Sequence, residues 1–256
     1  MSSATHTSRA THPEGTSLRE LSIVIPAFNE EKRLPATLEE IEKWARENLD
    51  RAEILIVDDG SSDGTLELAR HFAARCTGKI SARALSNGTN RGKGASVRAG
   101  VLAATLPWIL MTDADLSTPI EDVLKLAAER ANADVLIGSR AIAGANITKH
   151  QPLHRELMGK TFNKLVRVFV TGGLSDTQCG FKLFGREAGQ AIFSRTRIDR
   201  FAFDVEAIYL ARKLGYRVTE VPVHWENSPA STVDPLRDSS RMFVDILRIR
   251  WMHRND

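Results

Sequence analysis

Asp113-Ala114-Asp115 follows the apolar run Trp108-Ile109-Leu110-Met111-Thr112. Two carboxylates one residue apart, just past a buried strand, can share a divalent cation, and the cation can hold a diphosphate. Alone, the triplet is a weak signal and reads as two solvated acids or a turn. Here it sits in a repeating order of strand, polar turn and helix. Leu21-Ser22-Ile23-Val24-Ile25-Pro26-Ala27-Phe28 runs into Asn29-Glu30-Glu31, and Glu53-Ile54-Leu55-Ile56-Val57 runs into Asp58-Asp59-Gly60-Ser61-Ser62-Asp63-Gly64-Thr65. The Asp58-Asp59 pair can accept hydrogen bonds from a base N–H or from ribose hydroxyls, while Asp63 is placed to cap a helix. Gly92-Lys93-Gly94 before a helix puts backbone N–H groups and one ammonium where a phosphate can sit, without the Walker spacing. Together these turns point to a nucleotide-sugar site.

The elements that must position these residues alternate through the first 140 residues, the pattern of a parallel sheet covered on both faces. Strands are expected over 21–28, 53–57, 80–85, 108–112 and 134–138. Helices are expected over 31–47, with Leu34, Leu38, Ile41 and Trp44 as the buried stripe, over 63–75 and 95–104, and from about Pro119. Every polar motif then falls at the C-terminal end of a strand, where open α/β sheets bind ligands. Beyond Arg140 the pattern changes to a loop over 141–154, a basic amphipathic helix over 155–170 and a Gly-rich turn over 171–180. A helix over 203–214, a strand over 216–225, a polar loop over 226–235 and a basic, apolar-rich helix over 241–253 follow.

With 256 residues and 42% hydrophobic content, the chain can bury a sizeable core. We expect one domain over 18–256, with a nucleotide-binding half to about residue 140 and an acceptor-binding half after it, behind a Ser-, Thr- and His-rich disordered leader over 1–17. Acids and bases are interspersed and the net charge is only +3, which gives no argument for a nucleic-acid partner. Cys76 and Cys179 show no C-x-x-C spacing, so neither a disulfide framework nor a zinc site is expected, and a reducing compartment fits. No apolar run reaches the roughly 18 residues of a transmembrane helix. A cytoplasmic protein docked peripherally on a membrane is expected. The candidate contacts are residues 160–170 and 241–251, where Phe162, Phe169, Phe243 and Trp251 are flanked by basic residues. The alternative is that these apolar faces pack on the sheet.

Several stretches carry a family resemblance across residues 20 to 252. They are Val24-Ile25-Pro26-Ala27-Phe28-Asn29-Glu30, Val57-Asp58-Asp59-Gly60-Ser61-Ser62-Asp63-Gly64-Thr65, Thr112-Asp113-Ala114-Asp115-Leu116, Gly138-Ser139-Arg140, Asp176-Thr177-Gln178-Cys179-Gly180-Phe181-Lys182-Leu183-Phe184 and Phe201-Ala202-Phe203-Asp204-Val205-Glu206. The chain resembles the family 2 glycosyltransferases of the GT-A fold. It is most similar to the dolichyl-phosphate β-glucosyltransferases, with the dolichyl-phosphate mannose synthases close by, and the last two stretches tilt it toward the glucosyl branch.

The resemblance implies an α/β, Rossmann-like domain with a mostly parallel twisted sheet, flanking helices and C-terminal amphipathic helices. It implies an inverting, metal-dependent enzyme that moves a hexose, glucose from UDP-glucose, onto a polyprenyl or dolichyl monophosphate. Pro26, Phe28, Glu30, Val57 and Asp59, with Ala27 and Asp58 beside them, would hold the nucleoside. Asp113, Ala114 and Asp115 would hold the sugar diphosphate through Mg2+ or Mn2+, the metal being carried by Asp113 and Asp115. Lys93 and Gln178 join the substrate-binding set. Arg140 and Arg155 match family arginines that meet the acceptor phosphate, and their planar forks suit phosphate oxygens. That phosphate is already anionic at neutral pH, so no strong general base is required, and Asp176 and Asp204 would orient substrates or fix the acceptor loop. The chain departs from the family at two points. Ser117 stands where the mannose synthases carry a metal-binding Gln, and Pro229-Ala230-Ser231-Thr232 stands where a Gly-Ser-Lys segment is usual, leaving Arg237 as the candidate charge.

Other readings stay open. One is a GDP-mannose-dependent enzyme or one with a soluble acceptor. Another is a non-catalytic nucleotide-binding scaffold, against which the crowded Asp113 and Asp115 argue. A nucleotidyltransferase is disfavoured because no Gly-rich loop follows the first strand. The oligomeric state is open.

Overall fold

The computed structural model describes residues 18–149, 173–226, 245 and 248–254. The strands are β1 (Glu20–Ala27), β2 (Arg51–Asp58), β3 (Ile80–Ser86), β4 (Trp108–Met111), β5 (Val135–Ser139), β6 (Asn146–Lys149), β7 (Lys182–Gly185), β8 (Val218–Pro222) and β9 (His224–Glu226). The helices are α1 (Leu34–Asn48), α2 (Thr65–Arg75), α3 (Lys93–Ala103), α4 (Val123–Ala128), α5 (Arg186–Phe193) and α6 (Phe203–Lys213), with a 3-10 turn at Ile120–Asp122.

Seven strands form one sheet in the order β3-β2-β1-β4-β7-β5-β8. Only β7 runs against the others; β1 pairs in parallel with both β2 and β4, while β7 is antiparallel to β4 and β5. The chain steps outward from β1 to β3 and then returns past β1 to β4. The C-terminal ends of β1 and β4 therefore flank a topological switch point, where the connecting loops diverge and leave a crevice. The turns after β1 and β4 are the ones that carry Glu30 and Asp113.

Both faces of the sheet are covered. Ile23, Ile25, Ile54, Ile56, Leu110 and Leu136 pack with α1 and its neighbours on one side, while Val24, Leu55, Val57, Ile109, Met111 and Ile137 pack under α3, α5 and α6 on the other. Strands buried on both faces read as continuous apolar runs, which is why their positions were legible in the sequence. Helix α3 lies close on the sheet because its buried face is built of small residues, among them Gly94, Ala95, Ser96 and Gly100.

The structure corrects several expectations. Helix α1 starts at Leu34 rather than residue 31, because Glu30 to Arg33 forms a turn in which the Arg33 and Leu34 N–H groups both donate to Glu30 O. Residues 141–154 were expected as a loop, yet β6 lies there and pairs with β9 in a small parallel sheet. The expected strand over 216–225 is two strands, β8 on the main sheet and β9 on the small one, divided at the fully buried Val223. Strand β7 and helix α5 had no counterpart in the sequence reading. β7 has four residues and begins with a lysine, so it lacks the apolar run that marked its neighbours.

The basic segment over 155–170, the polar loop expected over 226–235 beyond Glu226, which ends β9, Arg237 and Phe243 lie outside the described residues, as do residues 1–17. Of the helix expected over 241–253, residues 245 and 248–252 are helical. Its Ile249 is fully buried and His253 bonds Glu206 at 2.7 Å, while Trp251 is 72% exposed. One side of this segment is thus core packing. Among the described residues no helix is long and apolar enough to cross a membrane.

A β-carbon added at Gly100 would come within 2.3 Å of Val24 Cγ1 and 3.1 Å of Val57 Cγ2. Replacing a mid-helix glycine by alanine gains roughly 1 kcal/mol of helix propensity, and overpacking a rigid core costs about 1–3 kcal/mol. Gly100→Ala is therefore expected to lower stability by up to about 2 kcal/mol in urea unfolding. A gain in stability would show that α3 can lift off the sheet at little cost.

Candidate active site

The first two βα turns are laced together. Asn29 takes a left-handed conformation (φ 55°), its N–H donates to Ser61 Oγ, and its Oδ1 accepts from the Ser62 N–H. The Glu30 N–H donates to Thr65 Oγ1, and the Asp63 carboxylate accepts from the N–H groups of Glu31 and Thr65. Asp63 thus braces the start of α2 as expected, although from one residue before the N-cap.

Asp58 and Asp59 are both buried. The Asp58 carboxylate accepts from the Gly60 and Ser61 N–H groups, which closes its own turn. The Asp59 carboxylate accepts from Asn87 Nδ2 at 2.7 Å, the Arg91 N–H at 3.1 Å and the Gly92 N–H at 2.7 Å. Of the acids expected to face a base or ribose, Asp58 therefore closes its own turn and Asp59 organises the loop before α3. Val57 has no exposed surface and Ala27 is buried, so Val57 supports this wall from within rather than lining it. Phe28 is 41% exposed beside Pro26 and forms the apolar lip.

The start of α3 was expected to offer N–H groups to a phosphate. In the structure the Ala95 N–H donates to Asp199 O, and a β-carbon at Gly94 would meet Ile198 O at 2.5 Å. The segment before α6 covers this helix end. Lys93 turns the other way and sets its Nζ 2.5 Å from Asp113 Oδ1. Burial works against the Lys93 ammonium, yet Asp113 and Asp204 outweigh it and hold its pKa above the ordinary lysine value.

The Asp113–Asp115 segment is held from three sides. Thr37 Oγ1 on α1 donates to Ala114 O at 2.6 Å, the Ser117 N–H donates to Asp115 Oδ1 at 3.0 Å, and the Glu226 N–H donates to Ser117 O at 2.8 Å. Leu116 sits at φ 47°, a conformation that costs a bulky L-residue about 1–2 kcal/mol. Such strain persists only where the surroundings impose it, and it gathers at functional turns. Gly180 lies directly against the pair: an added β-carbon would fall 2.0 Å from Asp113 Oδ2. The two carboxylates are partly open, with side-chain exposures of 35% for Asp113 and 22% for Asp115.

Behind this edge lie further charges. Lys182 is almost fully buried; its Nζ bonds Cys179 O and the Asp204 carboxylate. Burial pushes the Asp204 carboxyl above the usual range, while Lys182 and Lys93 pull against it. Burial also pushes the Cys179 thiol up to about 11, with Asp176 adding to the effect, so this cysteine is an inert part of the packing.

Arg140, at the end of β5, grips Asp176 side-on. Its Nε donates to Oδ2 at 2.7 Å, its Nη2 to Oδ1 at 2.9 Å, and its backbone N–H to Oδ2 at 3.0 Å. The guanidinium also stacks over Trp225, 5.3 Å from the ring centre. Glu220 on β8 accepts from the Ser175 and Asp176 N–H groups, and the Gln178 N–H donates to Asp176, so the loop before β7 is pinned around this pair. Burial opposes both charges, but their mutual attraction prevails: Arg140 is raised and Asp176 lowered from the ordinary values.

The structure thus brings Glu30, Lys93, Asp113, Asp115, Arg140, Asp176, Gln178 and Asp204 to the C-terminal edge around β4, β7 and β5. Arg155 lies outside the described residues. Sequence reasoning missed Arg33, Lys182, Glu220 and Trp225. Lys182 stood inside a quoted motif and Arg33 three residues after Glu30, whereas Glu220 and Trp225 carried no motif signal.

The family model "Glycosyl transferase family 2" matches residues 22–193, from β1 to the last residue of α5. A dolichyl-phosphate beta-glucosyltransferase of Dictyostelium discoideum is 35% identical over 244 residues, covering 91% of this chain and 74% of that protein. The Homo sapiens protein of the same name is 36% identical over 246 residues, covering 91% and 75%. Among solved structures, glucosyl-3-phosphoglycerate synthase from Mycobacterium tuberculosis, in complex with Mn2+, UDP and glucosyl-3-phosphoglycerate, is similar with a TM-score of 0.64. At 18% identity over 91% of this chain and 80% of that one, it shares the fold.

Because the folded Asp176 stays charged below the ordinary carboxylate value, its pair with Arg140 stabilises fully above about pH 4, and the contribution is lost as pH falls through the lower folded value. Asp176→Asn is expected to cost about 2 kcal/mol at neutral pH, less than a fully buried pair because Arg140 is partly exposed. The deficit should shrink as urea titrations are repeated down to about pH 2–3. A deficit unchanged in acid would assign it to lost shape rather than lost charge.

Proposed function

The chain belongs to glycosyl transferase family 2 and has the GT-A fold, and from that premise we propose that it transfers glucose from UDP-glucose to a polyprenyl monophosphate of dolichyl type. The observation that carries this reading is the convergence at one sheet edge of a partly open carboxylate pair, a charged lysine and an arginine fixed at the next parallel strand end. The similarity to dolichyl-phosphate beta-glucosyltransferases supports the donor sugar and the acceptor class. UDP-glucose is α-linked, so a β product requires inversion by a single displacement at the anomeric carbon.

The donor set fits a divalent cation. Among the described residues no group of three or more His, Cys, Asp or Glu side chains is arranged to hold a metal. Mg2+ and Mn2+ suit such a sparse site, keeping water ligands and taking one or two carboxylates together with substrate phosphate oxygens. Asp113 and Asp115 would hold the ion. When bound, the ion neutralises charge building on the leaving diphosphate, whose departure then needs no proton.

The chain's own side chains supply the rest. Lys93, kept charged by the acids around it, would face the same diphosphate. Phe28 and Pro26 offer an apolar surface for the base. Arg140 has its Nε and Nη2 committed to Asp176, which fixes the guanidinium plane, and its Nη1 meets no hydrogen-bonding partner among the described residues. That outer nitrogen is the one we assign to the acceptor phosphate. The phosphate oxygen is anionic at neutral pH and attacks without a base. The burial of Asp176 and Asp204 against cations supports this, since neither is placed to take a proton from an incoming group. A peripheral cytoplasmic membrane contact is part of the proposal. The exposed Arg248, Arg250, Trp251 and Arg254 make a mixed basic and aromatic surface that suits a bilayer interface.

Incubation with polyprenyl phosphate, Mn2+ and either UDP-glucose or GDP-mannose, read by mass of the lipid-linked sugar, tests the reaction. Product from UDP-glucose is expected; product from GDP-mannose alone would overturn the donor assignment. Asp115→Ala should fold and lose about 100-fold or more in turnover, as expected when transition-state charge loses its main stabiliser. Near-normal turnover at saturating Mn2+ would remove the metal assignment. Arg140→Lys keeps the charge but not the fork, so it should damage transfer more than UDP-glucose affinity. Equal damage would place Arg140 on the donor side.

A further inference from the structure

Trp225 links the two charge centres of the site. Its indole ring lies against the Arg140 guanidinium, with Arg140 Cζ 5.3 Å from the ring centre. The strand that carries it, β9, takes no part in the seven-stranded sheet. Instead, both neighbours of Trp225 are moored to the segment that follows Asp115. The His224 N–H donates to Asp122 Oδ2 at 2.6 Å, and the Glu226 N–H donates to Ser117 O at 2.8 Å. Asp122 is buried, and the Ser117 N–H bonds Asp115 Oδ1 at 3.0 Å. Trp225 itself is in register with Ile147 of β6, the strand that follows Arg140 along the chain. The ring is thus mounted on the acidic turn and its continuation, while its face meets the arginine.

We propose that Trp225 is the positioning residue that orients Arg140 toward the acceptor phosphate. This rests on the assignment of Arg140 to that phosphate. Asp176 holds Arg140 through two parallel hydrogen bonds, from Nε at 2.7 Å and from Nη2 at 2.9 Å. Both bonds lie along one edge of the guanidinium, so they fix that edge and leave the plane free to rock about it. A contact on the face of the plane removes the rocking, and the Trp225 ring supplies it. With edge and tilt both set, Nη1 points in one direction before the acceptor arrives, and less freedom is lost when a phosphate binds. The mooring of β9 sets that direction relative to Ser117 and Asp122, and not to β5 alone. A phosphate on Arg140 is then in register with the turn proposed to hold the diphosphate, which a single displacement requires. Tryptophan presents a large aromatic face with the strongest attraction for a cation, whereas leucine offers bulk without that attraction.

The test is steady-state transfer from UDP-glucose, with Mn2+, to a short water-soluble isoprenyl phosphate. The full chain is used as wild type, Trp225→Phe, Trp225→Leu, Arg140→Lys and the double variant Arg140→Lys with Trp225→Leu, each checked by thermal unfolding. Trp225→Leu is expected to raise KM for the isoprenyl phosphate about five- to tenfold, while KM for UDP-glucose changes by less than about twofold. Trp225→Phe keeps an aromatic face and should recover most of the loss. In the Arg140→Lys background the planar fork is already gone, so Trp225→Leu should add less than about twofold. Trp225→Met, which also keeps bulk without an aromatic face, takes the place of Trp225→Leu if that variant fails to fold. An unchanged acceptor KM in Trp225→Leu, an equal rise for UDP-glucose, no recovery in Trp225→Phe, or a fully additive loss in the double variant would each overturn the proposal and leave the transferase reading intact. A wild type that transfers no glucose, or an Arg140→Lys variant that loses UDP-glucose affinity as much as transfer, would overturn the reading beneath it, and this inference with it.

Discussion

Two carboxylates forced together at the end of β4 are the constraint to which the rest of the site answers. Asp113 and Asp115 are separated by one residue on a turn that Leu116 closes in a strained conformation, so their charges cannot drift apart. Like charges at such spacing repel, and each is compensated from a different element: Lys93 from α3 and Arg33 from the entry to α1. The absence of a side chain at Gly180 lets the loop before β7 close on the same turn. Sheet order makes this possible, since only the return of the chain past β1 sets the turns after β1 and β4 face to face.

The antiparallel β7 does for the second half of the site what the switch point does for the first. By running between β4 and β5, it carries the loop that contains Asp176, Gln178 and Gly180 back to the edge where its parallel neighbours end. Gly180 then meets Asp113 on one side, and Asp176 meets Arg140 on the other. The two charge centres interact through the intervening loop: Asp113 is among the acids that raise the Arg140 pKa. A donor held at one centre and an anionic acceptor held at the other would be neighbours, the geometry a direct displacement needs.

The parallel strands were legible because burial on both faces demands long apolar runs, and the polar ends of those runs marked the edge where chemistry gathers. The acids Asp113 and Asp115 stood out as candidates only through their place at the end of such a run. Asp58 and Asp59 looked alike in the sequence but serve the turn and the loop before α3, a distinction made by backbone N–H groups that no residue letter announces. β7 was illegible for the opposite reason. Its Lys182 reads as a surface residue, and only the distant Asp204 accounts for a lysine inside a sheet. Arg33 and Trp225 owe their roles to which loops the topology brings together, so no local pattern distinguished them from ordinary exposed residues.

Lys182 and Asp204 also bear on why the site is built with buried charge at all. Taking two ions out of water costs several kcal/mol each, and a well-packed apolar pair of similar volume is often as stable or more so, by about 1–4 kcal/mol. Stability alone is thus a weak reason for a lysine in the middle of a sheet. The pair lies behind Lys93, and Asp204 is one of the acids that keep the Lys93 ammonium charged against its burial. Without Asp204, Lys93 would depend on Asp113 and Asp115, the two acids proposed to share a cation. With Asp204 in place, Lys93 would keep its charge if Asp113 turned to a metal ion, as the proposed function requires. Lys182 in turn neutralises Asp204 from below and ties it to Cys179 O, on the same loop that presents Gly180 to Asp113. The buried pair therefore acts as a fixed electrostatic footing for Lys93.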